Sequence, residues 1–134
     1  MVEPFGMDEC WLDVTGSGVC GTGMEIAEAI RQTTKEELGL TVSIGVSFNK
    51  IFAKLGSDYK KPDAITTMYE DEFQRKAWCL PVSDLLYVGN ATNKKLYSMG
   101  IRTIGDLVKP CWSENLARWE VFCGLLLMDM MNLR

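Results

Sequence analysis

Two adjacent carboxylates near the start of the chain could bind a metal ion. Asp8 and Glu9 precede residues 10–15, a run of apolar and β-favouring side chains that predicts a strand. Carboxylate oxygens are good ligands for hard divalent cations. Neighbouring side chains on a strand point to opposite faces, so both acids can reach one ion only where the backbone bends, as it can beside Gly6. Two solvated acids at a strand end would give the same pattern, so the pair alone leaves both alternatives open.

The absence of some residue types from the sequence excludes several kinds of catalytic and metal site. The sequence has no histidine, and its five cysteines form no C-x-x-C pair. A mixed zinc site and nucleophilic catalysis with an imidazole base are therefore excluded. We expect reduced and mostly buried thiols, and any chemistry must come from carboxylates, lysines or a bound metal. The cysteines are Cys10, Cys20, Cys79, Cys111 and Cys123.

Length and composition are those of a globular protein. The chain has 134 residues, of which 47% are apolar and 24% charged. This is enough for one ordinary domain or two small subdomains. No stretch approaches the roughly 18 consecutive apolar residues of a membrane span, and the start lacks a signal-peptide pattern. We therefore expect a cytoplasmic protein with no membrane partner.

The charge is distributed unevenly along the chain. Residues 1–49 carry eight acidic and two basic side chains, whereas residues 50–134 carry ten acidic and twelve basic ones. Four lysines of the second part surround a single acid, Asp58, and form a local basic patch that could meet phosphate. A solvated charged face is the simpler interpretation of charge alone. The four are Lys50, Lys54, Lys60 and Lys61.

The elements that would position these residues alternate between strands and helices up to about residue 78. Residues 16–23 contain G-x-G-x-x-G, but the acid that a dinucleotide site needs after the next strand is missing, which favours a flexible connection. An amphipathic helix is predicted from Thr22, an N-cap with Glu25 three residues on, to Gly39. The segments that follow are predicted as strand 40–47, helix 48–61, strand 64–68 and helix 70–78.

Beyond residue 79 the strand signals cease and short helices are predicted over 82–87, 92–99 and 104–108. The turn at residues 88–91 between the first two gives the outline of a helix-hairpin-helix unit, for which an ordinary helical hairpin is the alternative. Backbone N–H groups at the second helix's start could bind a DNA phosphate, with two lysines beside them. The candidate DNA-binding residues are Gly89, Asn90, Ala91, Lys94 and Lys95. Residues 111–134 predict a largely apolar helix that needs a partner and has no assigned function.

Taken in order, these segments resemble the Y-family translesion DNA polymerases, in particular the bacterial DNA polymerase IV branch. The resemblance covers about 105 residues and depends on the ordered set of motifs. These are M-D-E-C-W-L-D from Met7, G-L-T from Gly39, S-I-G-V-S-F-N-K from Ser43, A-K from Ala53, S-D-Y-K-K-P from Ser57, L-P-V from Leu80, V-G from Val88 and G-I-R-T-I-G-D-L from Gly100.

The resemblance implies an α+β fold: a partial polymerase palm at residues 1–78, with an antiparallel-type sheet and helices, and a small helical thumb at residues 79–134 with the helix-hairpin-helix. It also implies that Asp8 and Glu9 are catalytic ligands of two Mg²⁺ ions, with Glu9 nearer the ion that activates the primer hydroxyl. Lys61 would contact the triphosphate of the incoming nucleotide. The implied partners are primer-template DNA and a deoxynucleoside triphosphate.

Three parts of the family pattern are not found in these residues: a further metal-binding aspartate, the fingers and the little finger. In addition, Ala91 stands where such hairpins often have a second glycine. We therefore expect a palm-thumb fragment of a polymerase for translesion synthesis and DNA repair that is inactive as an isolated chain. The alternatives are a non-catalytic DNA-binding module built on the helix-hairpin-helix, or an inactive remnant that self-associates through unpaired strand edges.

Overall fold

The computed structural model describes residues 1–16 and 21–108. In this part of the chain, four strands alternate with five α-helices and one turn of 3-10 helix. The strands are β1 (Val2–Phe5), β2 (Glu9–Leu12), β3 (Ile44–Ser47) and β4 (Ile65–Met68). The helices are α1 (Gly23–Leu38), α2 (Lys50–Tyr59), α3 (Glu70–Ala77), α4 (Asn90–Ser98) and α5 (Ile104–Val108), with the 3-10 turn at Val82–Asp84.

The first two strands form an antiparallel hairpin. Phe5 pairs with Glu9 across it, so residues 6–8 make the connecting turn. Gly6 has a φ of 70°, a left-handed conformation that glycine adopts without strain. The backbone therefore bends beside Gly6, and Asp8 lies in the turn whereas Glu9 starts β2.

The other two strands pair in parallel, with Ile44 opposite Ile65. Our expectation of an antiparallel-type sheet is thus wrong for β3–β4 and holds only for β1–β2. The reason is that α2 lies between β3 and β4 in the sequence and returns the chain to the same end of the sheet, as crossover connections of parallel strands do. Strand β3 also begins at Ile44, later than expected.

Helix α1 begins and ends where its capping residues predict. The Thr22 side chain accepts a hydrogen bond from Glu25 N, and the Glu25 carboxylate accepts one from Thr22 N. Gly39 closes the helix with a φ of 66°. After α2, the carboxylate of Asp63 returns to this helix and forms ion pairs with Arg31 and Lys35 at 2.8 and 2.6 Å. These contacts fix α1 beside the unit formed by β3, α2 and β4.

A single cluster of buried side chains runs from α2 to α5. Its members share apolar character and burial, and they come from both sides of residue 79: Ile51, Phe52, Leu55, Met68, Ala77, Val82, Leu85, Val88, Leu96, Ile101 and Ile104. Burial of apolar surface is the main contribution to folding stability. The subdomain boundary near residue 79 stays a prediction.

The prediction of a helix over residues 82–87 was wrong. Helical geometry ends after one 3-10 turn because Leu85 has an extended backbone, with φ −70° and ψ 135°. Val82, Leu85 and Val88 are all buried, and their spacing by three resembles one helical face although the chain has left the helix. Helix α4 then begins at Asn90, earlier than expected, with Gly89 as its N-cap.

Two further expectations concern the thiols and the membrane. Cys10 and Cys79 are free but exposed, so the expected burial is wrong for these two. Within residues 1–16 and 21–108, none of the helices has the length and apolar character needed to cross a bilayer. The predictions for residues 17–20 of the glycine-rich connection, for the apolar segment 111–134, and for Cys20, Cys111 and Cys123 lie outside the described residues.

Candidate active site

A cavity of about 510 Å³ lies between the β1–β2 hairpin, α1, β3 and the end of α2. The three residues to which the resemblance assigns chemistry, Asp8, Glu9 and Lys61, all line it. Asp8 is exposed in the hairpin turn, whereas the Glu9 side chain is 37% exposed. Residues far apart in the sequence therefore line one cavity, which has both carboxylates and lysines in its lining.

The hairpin that presents the acids is held against the start of α2. Trp11 Nε1 donates a hydrogen bond to the Lys50 carbonyl at 3.3 Å, and the Trp11 ring packs on Phe5 with ring centroids 4.4 Å apart. The Lys50 ammonium lies 5.3 Å from the centroid of the Trp11 ring and forms an ion pair with Glu3 of β1. Cation–π and ion-pair contacts of this kind restrain the hairpin at its base.

The donor set at this cavity fits Mg²⁺ in type. Mg²⁺ is usually held by one or two carboxylates, with water and substrate phosphates completing the octahedron. Asp8 and Glu9 offer two carboxylates on one cavity wall. In the described ranges, no group of three His, Cys, Asp or Glu side chains is arranged to hold a metal ion. The remaining ligands would have to come from water, a substrate phosphate or another carboxylate.

Sequence reasoning missed a row of alternating charges that joins Glu9 to Lys61. Lys54 Nζ lies 2.9 Å from Glu9 Oε1 and 2.8 Å from Asp58 Oδ2, and Lys61 Nζ lies 2.6 Å from Asp58 Oδ1. The signal was available in part, because Lys54 and Asp58 are four residues apart on a predicted helix and must share a face. The contact with Glu9 spans 45 residues and could not be found in this way.

The charge row shifts the titration of its two middle members. Partial burial would lower the pKa of Lys54, but hydrogen bonds to Asp58 and Glu9 outweigh it and raise the pKa above its ordinary value. Partial burial would likewise raise the pKa of Asp58, and the hydrogen bonds from Lys54 and Lys61 reverse this and lower it. Both groups are therefore charged at neutral pH.

The charge row changes the interpretation of the basic patch. Of its four lysines, Lys50, Lys54 and Lys61 each form an ion pair with an acid of the hairpin or of α2. The patch is thus not a plain solvated cationic face. Two of the paired lysines, Lys54 and Lys61, line the cavity.

A second cavity, of about 440 Å³, connects Lys54 and Asp58 to the turn before α4. Tyr87 and Gly89 form its other wall, and Tyr87 has a φ of 71°, which is uncommon for a residue other than glycine. The candidate DNA-binding residues lie next to this wall: Gly89 caps α4 without a side-chain hydrogen bond, Asn90 and Ala91 form its first turn, and Lys94 and Lys95 are exposed.

Comparison with known proteins shows what the chain is similar to. Residues 1–58 match the model of the impB/mucB/samB family. DNA polymerase IV of Acetivibrio thermocellus is 59% identical over 132 residues, which are 98% of this chain and 33% of that protein. The fold matches a solved Y-family DNA polymerase chimera of Dbh and Dpo4 with a TM-score of 0.78 and 27% identity, over 99% of this chain and 40% of that one. The chain is therefore similar in sequence and fold to part of a Y-family DNA polymerase.

The match extends to a Y-family ternary complex. Dbh, solved as a ternary complex with partially disordered substrates, gives a TM-score of 0.75 and 28% identity over 99% of this chain and 40% of that chain. The mixed α/β architecture is therefore that of a Y-family palm. The chain spans about a third of the length of the curated Y-family relatives that it matches.

Proposed function

We propose that this chain contributes palm and thumb elements to a DNA-directed DNA polymerase that performs translesion synthesis in DNA repair. One observation carries the proposal: Asp8, Glu9 and Lys61 line the same cavity, although Lys61 is more than 50 residues from the two acids. In the proposed reaction, Asp8 and Glu9 bind Mg²⁺ and Lys61 contacts the triphosphate of the incoming nucleotide. The location of such a polymerase in the cytoplasm is part of the same proposal.

The residue types suit nucleotidyl transfer. Two divalent ions about 4 Å apart stabilise both the attacking and the leaving oxygen of an in-line phosphoryl displacement. Carboxylate oxygens are ligands that Mg²⁺ prefers. A lysine adds positive charge where the pyrophosphate group leaves. The chain needs no histidine for this chemistry, in agreement with its composition.

We infer that a further strand completes the site. Among the described residues, β2 pairs only with β1 and β3 pairs only with β4, and residues of both β2 and β3 line the 510 Å³ cavity. An extended segment between them could satisfy both unpaired edges and join the two small sheets. The family's additional metal-binding aspartate lies on a strand of the palm, and this gap would place it beside Asp8 and Glu9. On its own, the 134-residue chain is then expected to be inactive.

The thumb contribution is the contact with the DNA backbone. We propose that the start of α4, with Gly89, Asn90 and Ala91, binds a phosphate of the primer-template duplex and that Lys94 and Lys95 add charge beside it. The absence of a side-chain cap at Gly89 supports this, since the first backbone N–H groups of α4 keep hydrogen-bonding capacity. The helix-hairpin-helix description itself stays a prediction.

A hybrid polymerase tests the proposed function. The 132 matching residues of DNA polymerase IV from Acetivibrio thermocellus are replaced by this chain, so that the remaining two thirds come from the relative. We expect primer extension by the hybrid that requires Mg²⁺ and is abolished by a chelator, whereas the isolated chain extends no primer. A folded hybrid without activity, or clear extension by the isolated chain, would contradict the proposal.

A further inference from the structure

The structure places a lysine where it blocks one of the proposed metal ligands. Lys54 Nζ contacts Glu9 Oε1 at 2.9 Å and Asp58 Oδ2 at 2.8 Å, so one ammonium group is shared between two carboxylates. The Lys54 side chain is only 19% exposed, whereas those of Glu9 and Asp58 are 37% and 43% exposed. The lysine is thus the most buried of the three side chains, and both carboxylates contact it.

Sharing between two carboxylates allows the lysine to release one of them without losing every partner. If Glu9 turned toward a divalent ion, Lys54 would keep its ion pair with Asp58, which is four residues on in α2. Leaving this partly buried ammonium without any partner would be unfavourable. Asp58 therefore makes the exchange at Glu9 possible.

We propose that Lys54 is an internal counter-cation of the metal site: it holds Glu9 in the metal-free chain and moves to Asp58 alone when a divalent ion binds. Lys54 is then a positioning residue that sets metal affinity, and Asp58 assists it. The inference rests on the proposed function, because it assumes that Glu9 is a metal ligand. It concerns binding by this chain and needs no polymerase activity for its test.

Competition and simple long-range electrostatics predict different results in a double-mutant cycle. Whether Lys54 competes with the metal ion or only repels it at a distance, Lys54→Met raises metal affinity and Asp58→Asn lowers it. The two explanations differ in the Lys54→Met background. If Asp58 acts through Lys54, Asp58→Asn has no further effect there, whereas a general field effect would persist.

The experiment measures Mn²⁺ binding to the 134-residue chain by electron paramagnetic resonance of the free ion, at about 0.15 M salt so that distant charges are screened. We expect Lys54→Met to lower the Kd about tenfold and Asp58→Asn to raise it about threefold, within the range of typical coupling effects. The double variant should bind like Lys54→Met. Lys54→Arg, which keeps the charge, should stay near the wild-type value.

The chain offers a matched control in Lys76. Its ammonium lies 2.8 Å from the Glu72 carboxylate and its side chain is 22% exposed, so Lys76→Met removes the same charge from a similar ion pair on α3. We expect a Kd within about twofold of wild type, because the pair is away from the proposed metal ligands. A change as large as that of Lys54→Met would overturn the proposal.

A measurement on the unmutated chain gives a result that does not depend on whether the variants fold. With Lys side chains labelled with ¹³C at Cε, saturating Mg²⁺ should shift the Lys54 signal and leave the Lys76 signal in place. A Lys54 signal that stays fixed while Mg²⁺ binds, a folded Lys54→Met chain with unchanged or weaker Mn²⁺ binding, or no Mn²⁺ binding by either form would overturn the proposal.

This test and the hybrid-polymerase assay can fail independently. An inactive hybrid together with the expected Mn²⁺ pattern would contradict the proposed polymerase function and still support the Lys54 exchange. An active hybrid together with an unaltered Kd for Mn²⁺ in Lys54→Met would contradict only the proposed exchange at Lys54.

Discussion

At the scale of single residues, the sequence predicts the candidate site residues that belong to a motif. It does not predict a site contact between residues that only the tertiary structure brings together. Asp8, Glu9 and Lys61 followed from motifs in order, and the structure brings them to one cavity. The contact of Lys54 with Glu9 depends on how the hairpin docks against α2, which no local pattern encodes. Their roles as metal and nucleotide ligands stay predictions that the experiments above address.

Asp63 provides a residue-scale prediction for pH dependence. Hydrogen bonds from Lys35 and Arg31 hold the pKa of its carboxyl below the ordinary value. Because the folded-state pKa is lower than the unfolded one, the stabilisation is complete above about pH 5 and is lost as the pH falls below about 4. We expect Asp63→Asn to reduce the free energy of unfolding at pH 6 and to make its decline between pH 6 and pH 3 shallower than in wild type.

Urea unfolding at several pH values measures this effect. Asparagine is the suitable substitute, since residue 63 has a φ of 53° and asparagine tolerates that conformation. Equal slopes of stability against pH for Asp63→Asn and wild type would show that the contacts with Arg31 and Lys35 contribute nothing to acid sensitivity.

At the scale of elements, the helix-capping residues were the most informative local signal. The packing of elements against one another could not be predicted from local sequence. Thr22, Glu25 and Gly39 correctly set the limits of α1. The parallel pairing of β3 with β4 and the single 3-10 turn at Val82–Asp84 were not predicted. Both depend on how elements pack after they form, and apolar spacing by three does not distinguish a helix from a turn whose side chains point into the same core.

The contact between β3 and α2 leads to an element-scale prediction. A Cβ added at Gly45 would overlap the carbonyl oxygen of Ala53 and lie 2.6 Å from Ser57 N, so helix and strand would have to separate. We expect Gly45→Ala to lower the free energy of unfolding by about 3 kcal/mol or more, at or above the usual range for overpacking. Denaturant titration followed by circular dichroism measures the change.

Gly89 is the matched control for this substitution. Its φ of −76° suits any residue, and a Cβ there would meet nothing within 4 Å. Gly89→Ala should cost less than about 1 kcal/mol, the usual effect of alanine at an N-cap. Similar losses for the two variants would contradict the close approach of α2 to β3.

At the scale of the whole molecule, the resemblance was a better guide than composition. The net charge of −4 argues against a nucleic-acid partner, yet the chain is similar to part of a DNA polymerase. The explanation lies in the uneven distribution of charge. Residues 1–49 carry only two of the 14 bases, whereas Lys94 and Lys95 lie exposed on α4.

The exposed lysines of α4 lead to a prediction about DNA binding by the intact chain. Replacing Lys94 and Lys95 by alanine should weaken binding to primer-template DNA at every sequence and lower the slope of log affinity against log salt by about 2. Fluorescence anisotropy over a salt series measures the slope. An unchanged slope would place the DNA contact elsewhere, and Lys76→Ala serves as the control because Lys76 pairs with Glu72.

Within residues 1–16 and 21–108, β2 and β3 each have one unpaired edge, which leads to a second prediction at this scale. Exposed strand edges favour pairing between chains, so the isolated chain should self-associate as its concentration rises. Light scattering over a concentration series tests this. A clean monomer at all concentrations would show that the cavity-facing edges are protected in some other way.

Primer extension by the hybrid polymerase carrying single substitutions tests the central claim most directly. Asp8→Asn and Glu9→Gln each remove one proposed metal-binding oxygen with little change in shape, while Asp13→Asn alters an exposed acid after β2 that does not line the cavity. We predict that Asp8→Asn and Glu9→Gln reduce the extension rate at least about a thousandfold, as expected when metal-based charge stabilisation is lost. Asp13→Asn should extend at nearly the rate of the unsubstituted hybrid. Extension by Asp8→Asn or Glu9→Gln at that same rate would contradict the assignment of the site.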